Sequence, residues 1–182
     1  MSKRIVFLGP PGAGKGTQSQ RLACSAALLH LSTGDLLRAE VAAGSALGQE
    51  TKAVMERGEL VSDALVLAIV RSRLAGHGGG WLLDGFPRNL SQANQLNGLL
   101  AELGQPLELA LLLEVPEEEL VQRLLSRGRS DDSEAVIRRR LAVYSEQTAP
   151  LISHYASRGL LKRVDGLGEV DAIAERIASL VC

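Results

Sequence analysis

The sequence predicts an α/β protein: a parallel sheet with helices on both of its faces. Three observations predict it. Short apolar runs of strand type alternate with amphipathic helical stretches along almost the whole chain. That alternation is the pattern of βαβ units, which force parallel strands and cover both faces of the sheet. The first run also passes straight into "GPPGAGKGTQ", a glycine-rich turn of the kind that joins a strand to a helix at a phosphate.

The elements follow in order. "RIVFLG" is a β-branched and aromatic run, read as a buried strand, and "GTQSQRLACSAALL" has helical spacing. "LLHLS" is a second short strand. Ser62 is placed to cap "DALVLAIVRSRLA", and Gly76 to end it. "WLLDG" is a third strand, and "LSQANQLNGLLAELG" is a helix that stops at Gly104 and Pro106. "LELALLLEV" is the fourth strand. Pro116 reads as the first helical residue of "PEEELVQRLLSRG", with acids in the first turn where the helix dipole favours them. "LLKRVD" is the fifth strand and "EVDAIAERIASLV" the closing helix. The stretch 32–61 departs from the alternation. It has no strand, only the helical "DLLRAEVAAG" and "LGQETKAVMERG", and it reads as a binding arm or an extra helix pair. "GHGGG" reads as a plain helix-to-strand loop. There is no internal repeat, low-complexity segment or interdomain linker.

Composition limits the function. The chain of 182 residues suits one domain with one sizeable core. Hydrophobic residues are 46% of it and aromatics 3%, so the core is built of Leu, Val, Ile and Ala. A net charge of −1 argues against a general nucleic-acid or membrane-surface binder. No apolar run is long enough to span a bilayer, and the first one stops at Gly9, too short for a signal peptide. The expectation is a cytoplasmic protein. Cys24 and Cys182 are far apart and lack a CxxC partner, so neither a disulfide nor a zinc site is expected. Cys24 reads as a buried small hydrophobe. Lysine occurs only at Lys3, Lys15, Lys52 and Lys162. The basic residues are otherwise arginine, which suits bidentate phosphate contacts and also follows from base composition alone.

Three features carry chemistry. Gly9, Gly14 and Lys15 fit G-x-x-x-x-G-K between a strand and a helix. Glycines there let backbone N–H groups turn around a phosphate, the helix N-terminus adds its positive end, and Lys15 faces the outer phosphates. The usual hydroxyl after the lysine is replaced by Gly16, with Thr17 one place later. The second feature is "WLLDGFPR". A strand ending on Asp84 resembles the carboxylate that holds magnesium, directly or through water, and Arg88 follows on the loop within reach of an anion. The third is a set of arginines. Arg123 and Arg127 are four apart and share a helix face. Arg129 lies just beyond. Arg138, Arg139 and Arg140 open another helix, where successive residues point about 100° apart and cannot all face one site. A phosphate loop with this many arginines suggests two polyanions bound together.

One absence is informative. His30, His77 and His154 show no metal spacing, and no serine–histidine or cysteine–histidine arrangement stands out. A hydroxyl acceptor would want a base. A phosphate acceptor would not, because its second pKa is about 6 and it is already anionic at neutral pH. Positioning and charge stabilisation would then suffice.

With "GPPGAGKGTQ", "HLSTGDLLR", "GELVSD", "LLDGFPRNLSQA" and "RLLSRGRSDDSEAVIRRRL" in this order, the chain resembles the adenylate kinases of the nucleoside monophosphate kinase family along essentially its whole length. The Gly16–Thr17 form of the loop is that family's own. The resemblance implies a three-layer P-loop fold with a five-stranded parallel sheet, a core of 1–31, 62–125 and 133–182, a monophosphate-binding arm at 32–61 and a short lid at 126–132. It implies the reaction ATP + AMP ⇌ 2 ADP with Mg²⁺, in a protein that is a monomer. By the resemblance, Gly12, Ala13, Gly14, Lys15, Gly16 and Thr17 wrap the ATP phosphates. Thr33, Arg38 and the backbone of Glu59, Leu60 and Val61 hold AMP, with Arg38 on its phosphate. Gly85, Phe86, Pro87, Arg88 and Gln92 complete that site, Arg88 on the phosphate and Gln92 at the adenine edge. Arg127 covers the ATP base and, with Arg123, serves its phosphate side. Arg129 and Arg140 bridge the phosphates at transfer. Gly168 gives the ATP base a backbone contact, and Asp84 organises the magnesium waters without ligating the metal. "RGRSDD" passes straight through where relatives insert a long lid, sometimes with zinc cysteines, so a structural zinc is not expected.

The nearest rival is a UMP/CMP kinase of the same family. Thr33 stands where those enzymes tend to carry alanine, and the Gln92 amide suits both the donor and the acceptor of adenine. A GTPase-like switch would want a guanine-reading N-K-x-D, which the chain lacks. A nucleotide-binding partner without catalysis would not need every matched position filled by the expected residue type.

Overall fold

The computed structural model of the chain describes residues 3–128 and 133–181, with the backbone alone at Arg127. Arg129, most of the short-lid segment 126–132 and Cys182 therefore lie outside the described residues or at their edge.

The described chain contains a five-stranded sheet in the order β2-β3-β1-β4-β5. Its strands are β1 (Arg4–Leu8), β2 (Leu29–Ser32), β3 (Trp81–Asp84), β4 (Leu109–Glu114) and β5 (Leu161–Asp165). Every pairing is parallel, as the alternation of strands and helices requires. The central strand β1 pairs Phe7 with Asp84 on one side and with Leu111 on the other. Its residues alternate between two cores. Val6 and Leu8 face a core filled by α4 (Asp63–Leu74), α5 (Leu90–Glu102) and α8 (Pro150–Ala156). Ile5 and Phe7 face one filled by α1 (Lys15–Ser25), α6 (Glu117–Arg127) and α9 (Val170–Val181). Both cores are aliphatic, with Leu83, Leu96 and Leu111 fully buried. Each such leucine contributes roughly 1.5–3 kcal/mol of transfer free energy. The large buried Trp81 keeps its polar edge satisfied, Nε1 donating to Gln105 Oε1 at 2.9 Å.

Residues 33–56 form two helices and no strand, α2 (Thr33–Ala43) and α3 (Ala46–Glu56). They pack on each other as a hairpin. Ser45 fixes its turn by accepting from Gly48 N at 3.0 Å and donating to Glu40 Oε2 at 2.6 Å. Gly48 has to be glycine, because a Cβ there would stand 2.1 Å from Glu40 O.

Four local expectations are corrected. Ser62 precedes α4, but its side chain accepts no capping bond. Pro116 is the N-cap of α6, with extended ψ 145, one place before the first helical residue. Arg138, Arg139 and Arg140 lie inside α7 (Glu134–Val143), which Ser133 opens by accepting from Val136 N. Cys24 is exposed, because Leu22 and Ala23 occupy the buried face of α1. The structure also adds a π-helical turn, Tyr144–Thr148, between α7 and α8.

Candidate functional site

The parallel strands bring their C-terminal ends to one edge, and a cleft of about 800 Å³ opens there. Clefts of this size at this edge of an open sheet are the usual ligand sites. The loop 9–14 leaves β1 and enters α1 with positive φ at Gly9, Gly12 and Gly14. Lys15 folds back across it, Nζ donating to Gly9 O at 2.8 Å and to Pro10 O at 3.0 Å. Gly16 keeps room beside the aspartate that ends β3: a Cβ on it would stand 3.7 Å from Asp84 Oδ2. Gly12, Gly14, Lys15, Gly16 and Thr17 all line the cleft, while Ala13 is buried and faces a neighbouring hollow.

Across the cleft, β2 and β3 end side by side, with Ser32 paired to Asp84. Thr33 is buried and donates to Asp84 O at 3.4 Å. Gly85 turns the chain at φ +83, and a Cβ there would press on Thr33 Oγ1 at 2.9 Å and Arg88 Nη2 at 3.0 Å. Arg88 Nε donates to Gly85 O at 2.7 Å, and its backbone N–H donates to Gln92 Oε1 at 2.7 Å. Burial lowers the Arg88 pKa from the ordinary guanidinium value. The Asp84 charge works against that, and Arg38 and Arg140 add to it. Three cations thus face one space, an arrangement that an anion would relieve. Arg38 meanwhile pairs with Asp35 at 2.5 Å.

Gln92 is almost fully buried, and Nε2 donates to Asp63 Oδ1 at 2.8 Å. Its bonds to Arg88 and Asp63 leave one amide hydrogen and one lone pair uncommitted. Burial pushes the Asp63 carboxyl up, but bonds from Gln92, Ser91 and Asn89 outweigh it and hold the pKa below the ordinary value. Glu59, Leu60 and Val61 line the same side, the Glu59 carboxylate accepting from Arg57 Nε at 3.1 Å. Phe86 is the exception in this group. Its side chain is 1% exposed and belongs to the hydrophobic core, while its neighbours Gly85 and Pro87 line the cleft.

The fold separates the arginines. Arg138 is exposed and pairs with Glu134 at 2.7 Å, whereas Arg140 lines the cleft. The stem of Arg140 supports the end of the α2–α3 hairpin: a Cβ on Gly58 would meet Arg140 Cγ at 3.0 Å. Arg123 pairs with Glu119 at 2.8 Å and donates to Gly166 O at 3.2 Å. It stands between the cleft and a hollow of about 270 Å³ that Gly168, Val170 and Ile173 also line. The backbone of Arg127 ends α6, and Arg129 lies outside the described residues.

Sequence reading missed the part that four residues play here. Thr148 and Tyr144 reach the cleft from the π-helical turn, and Thr148 Oγ1 donates to Arg88 O at 2.6 Å. Such turns recur at functional sites, but no sequence signal marks this one. Burial, and then the Glu114 charge, push the Tyr144 phenol up to about 12, so it keeps its proton. Ser19 and His30 also meet, Oγ to Nε2 at 3.0 Å, although no serine–histidine arrangement was visible in the sequence. Ser19 is fully buried and also donates to Gly16 O at 3.2 Å, so the pair ties the first turn of α1 to β2.

Comparison with known proteins follows the same lines. The family model described as "Adenylate kinase" matches residues 7–160. An adenylate kinase of Synechococcus sp. (strain RCC307) is 69% identical over 179 residues, covering 98% of each chain. Those of Synechococcus sp. (strain CC9311) and Prochlorococcus marinus (strain MIT 9303) are 62% and 60% identical, each over 182 residues and the whole of both chains.

Proposed function

We infer the roles of the cleft residues from one premise: the chain belongs to the adenylate kinase family. The family's reaction is reversible phosphoryl transfer from ATP to AMP, and this chain is an ATP:AMP phosphotransferase. The observation that carries the assignment of residues is the division of charge in the cleft. Lys15 and the glycine loop stand on one side, Arg38, Arg88 and Arg140 on the other, and Asp84 lies between them.

In this reading Gly12, Ala13, Gly14, Lys15, Gly16 and Thr17 hold the ATP phosphates through backbone N–H groups and the lysine charge. Arg123 and Arg127 cover the ATP base and its phosphate side, and Gly168 offers the base its backbone. Arg38 and Arg88 grip the AMP phosphate. Thr33, Gly85, Phe86, Pro87 and the backbone of Glu59, Leu60 and Val61 shape the AMP pocket, to which Phe86 contributes its backbone. Gln92 reads the adenine edge. An AMP phosphate oxygen attacks the γ-phosphorus as its bond to the β,γ-bridging oxygen breaks. The acceptor is already anionic, so no base is needed. Arg129 and Arg140 bridge the phosphates as charge shifts between them. The arm 32–61 and the lid 126–132 close over both substrates and exclude water.

The residues fit a magnesium ion that arrives with ATP. Asp84 is 7% exposed beside Gly16, and among the described residues no group of three or more metal-ligating side chains surrounds it. That donor set suits a cation held by phosphates and waters, with Asp84 orienting the waters rather than ligating the ion. When bound, the ion neutralises charge on the β- and γ-phosphates. No zinc enters this reading. The substrates are ATP, AMP and ADP, with no nucleic-acid partner, in a cytoplasmic monomer. Among the described residues no helix is long and apolar enough to cross a membrane.

A second acceptor, UMP or CMP, is the alternative. Buried Thr33 beside Asp84 and the spare amide hydrogen and lone pair of Gln92 favour AMP. A coupled assay of ADP production with AMP, UMP and CMP tests this. AMP is expected to lead in kcat/KM, and a preference for UMP would sink the assignment.

A further inference from the structure

The loop between β5 and α9, together with the residues that flank it, is pinned by side chains from three elements. Arg123 of α6 donates to Gly166 O at 3.2 Å. Arg176 of α9 donates through Nη1 to Asp165 O at 2.9 Å and to Leu167 O at 2.7 Å, with the Asp165 carboxylate 4.0 Å away. Gln18 of α1 donates to Val170 O at 2.9 Å. The loop also binds itself and the sheet. Leu167 N donates to Asp165 Oδ1 at 2.9 Å, and Gly166 N to Glu114 O at 2.8 Å. Among the described residues, peptide groups on both sides of Gly168 are engaged in this way, and no hydrogen bond engages Gly168. Gly168 takes φ +103, which a side chain rarely permits. Its peptide lies at the wall of the 270 Å³ hollow.

We propose that Arg176 is a positioning residue for the donor nucleotide, holding the 165–168 loop so that the open peptide edge of Gly168 meets the base of ATP. The proposal rests on the reading of that hollow as the ATP base site. Arg176 lines neither the cleft nor the hollow, so it acts through the loop. The loop is exposed from Leu167 to Glu169 and contains glycine, and without the clamp its ordering would be lost from the binding free energy. A fixed peptide edge also discriminates between bases. Its C=O accepts from the 6-amino group of adenine, while the 6-oxo group of guanine sets an acceptor against it.

Arg176→Met keeps the stem and removes the donors. Its KM for ATP is expected to rise about tenfold, with kcat at saturating ATP within about twofold of the parent. The KM for AMP stays at the parent value, and the preference for ATP over GTP as donor narrows. Arg176→Lys keeps one charged donor and recovers part of the loss. Arg71→Met, which removes an exposed arginine paired with Glu102, keeps the parent values. An unchanged KM for ATP in Arg176→Met, or an equal rise in both KM values, would overturn the proposal. Calorimetric titration of ATP separates the two levels of inference. A parent that binds no ATP overturns the base-site reading and the proposal with it. A parent that binds ATP no better than Arg176→Met overturns the proposal alone.

Discussion

Arg88→Met is expected to silence the acceptor site while leaving the fold about as stable as before. Arg88 gives up one good bond, to Gly85 O at 2.7 Å. Leaving that carbonyl unpaired costs about 1–3 kcal/mol. Against this, the charge of Arg88 is penalised by burial and by its like-charged neighbours Arg38 and Arg140, and helped by Asp84. Like charges ~8 Å apart repel by about 2 kcal/mol at an effective dielectric of ~20, before salt screening. The terms nearly cancel, so the net change is about 1 kcal/mol in either direction. For a chain of this size that moves the Tm by about 2–4 °C. Function does not cancel, because the cation is absent when the phosphate needs it, and turnover should fall about 10²–10³-fold. Thermal unfolding with each nucleotide alone is the decisive assay. AMP at about 100 times its Kd stabilises the parent by about 2.7 kcal/mol, a Tm rise of roughly 5–10 °C. Arg88→Met should lose that rise and keep the rise caused by ATP. An AMP-induced rise equal to the parent's would refute the reasoning, as would a collapse of the ligand-free Tm by more than about 10 °C.

Lys15→Met should lower turnover by about 10²-fold or more with the fold intact by circular dichroism, and parent-like turnover would remove Lys15 from the donor site. Gly85→Ala must take φ +83 and push on Thr33 and Arg88, so the KM for AMP should rise while the KM for ATP holds; a selective rise in the ATP value would contradict the map of the cleft. His154 tests the linkage of stability to pH. Burial, then the Arg158 charge, lowers its pKa from 6.5, so the unfolded chain takes up a proton that the folded chain resists. Its contribution is complete above about pH 6.5 and fades as pH falls below that. Urea titrations at pH 7.5 and 5.5 should show a smaller loss for His154→Gln than for the parent, and equal losses would discard this account.

Four of the strands were legible as short apolar runs between good breakers, β5 (LKRVD) much less so, and the parallel order followed from the helices between them. Lys15, Asp84 and Arg88 were legible for a related reason: Asp84 ends a strand and the other two follow one within a short loop, so local sequence places them. Arg140 was not separable from Arg138 and Arg139 by spacing, since only the packing of Ile137 and Val143 sets which way α7 is turned. Cys24 failed in the same way. Its neighbours claimed the buried face of α1, and nothing in the local pattern says which of adjacent apolar residues will win. Thr148 and Arg88 touch across a separation of 60 residues, through a π-helical turn that has no composition of its own. Ser19 and His30 belong to different elements, and only the fold makes them neighbours.

The contact between Gly58 and Arg140 ties two parts of the molecule that the chain keeps more than eighty residues apart. The chain leaving α3 at Gly58 lies against the stem of a cation that lines the cleft. The hairpin's exit and that cation therefore share one packing surface, so a change of shape on either side is expected to be felt on the other. Any side chain at position 58 would act as a wedge here, forced to φ +72 and pressed against Arg140 Cγ and Val136 O.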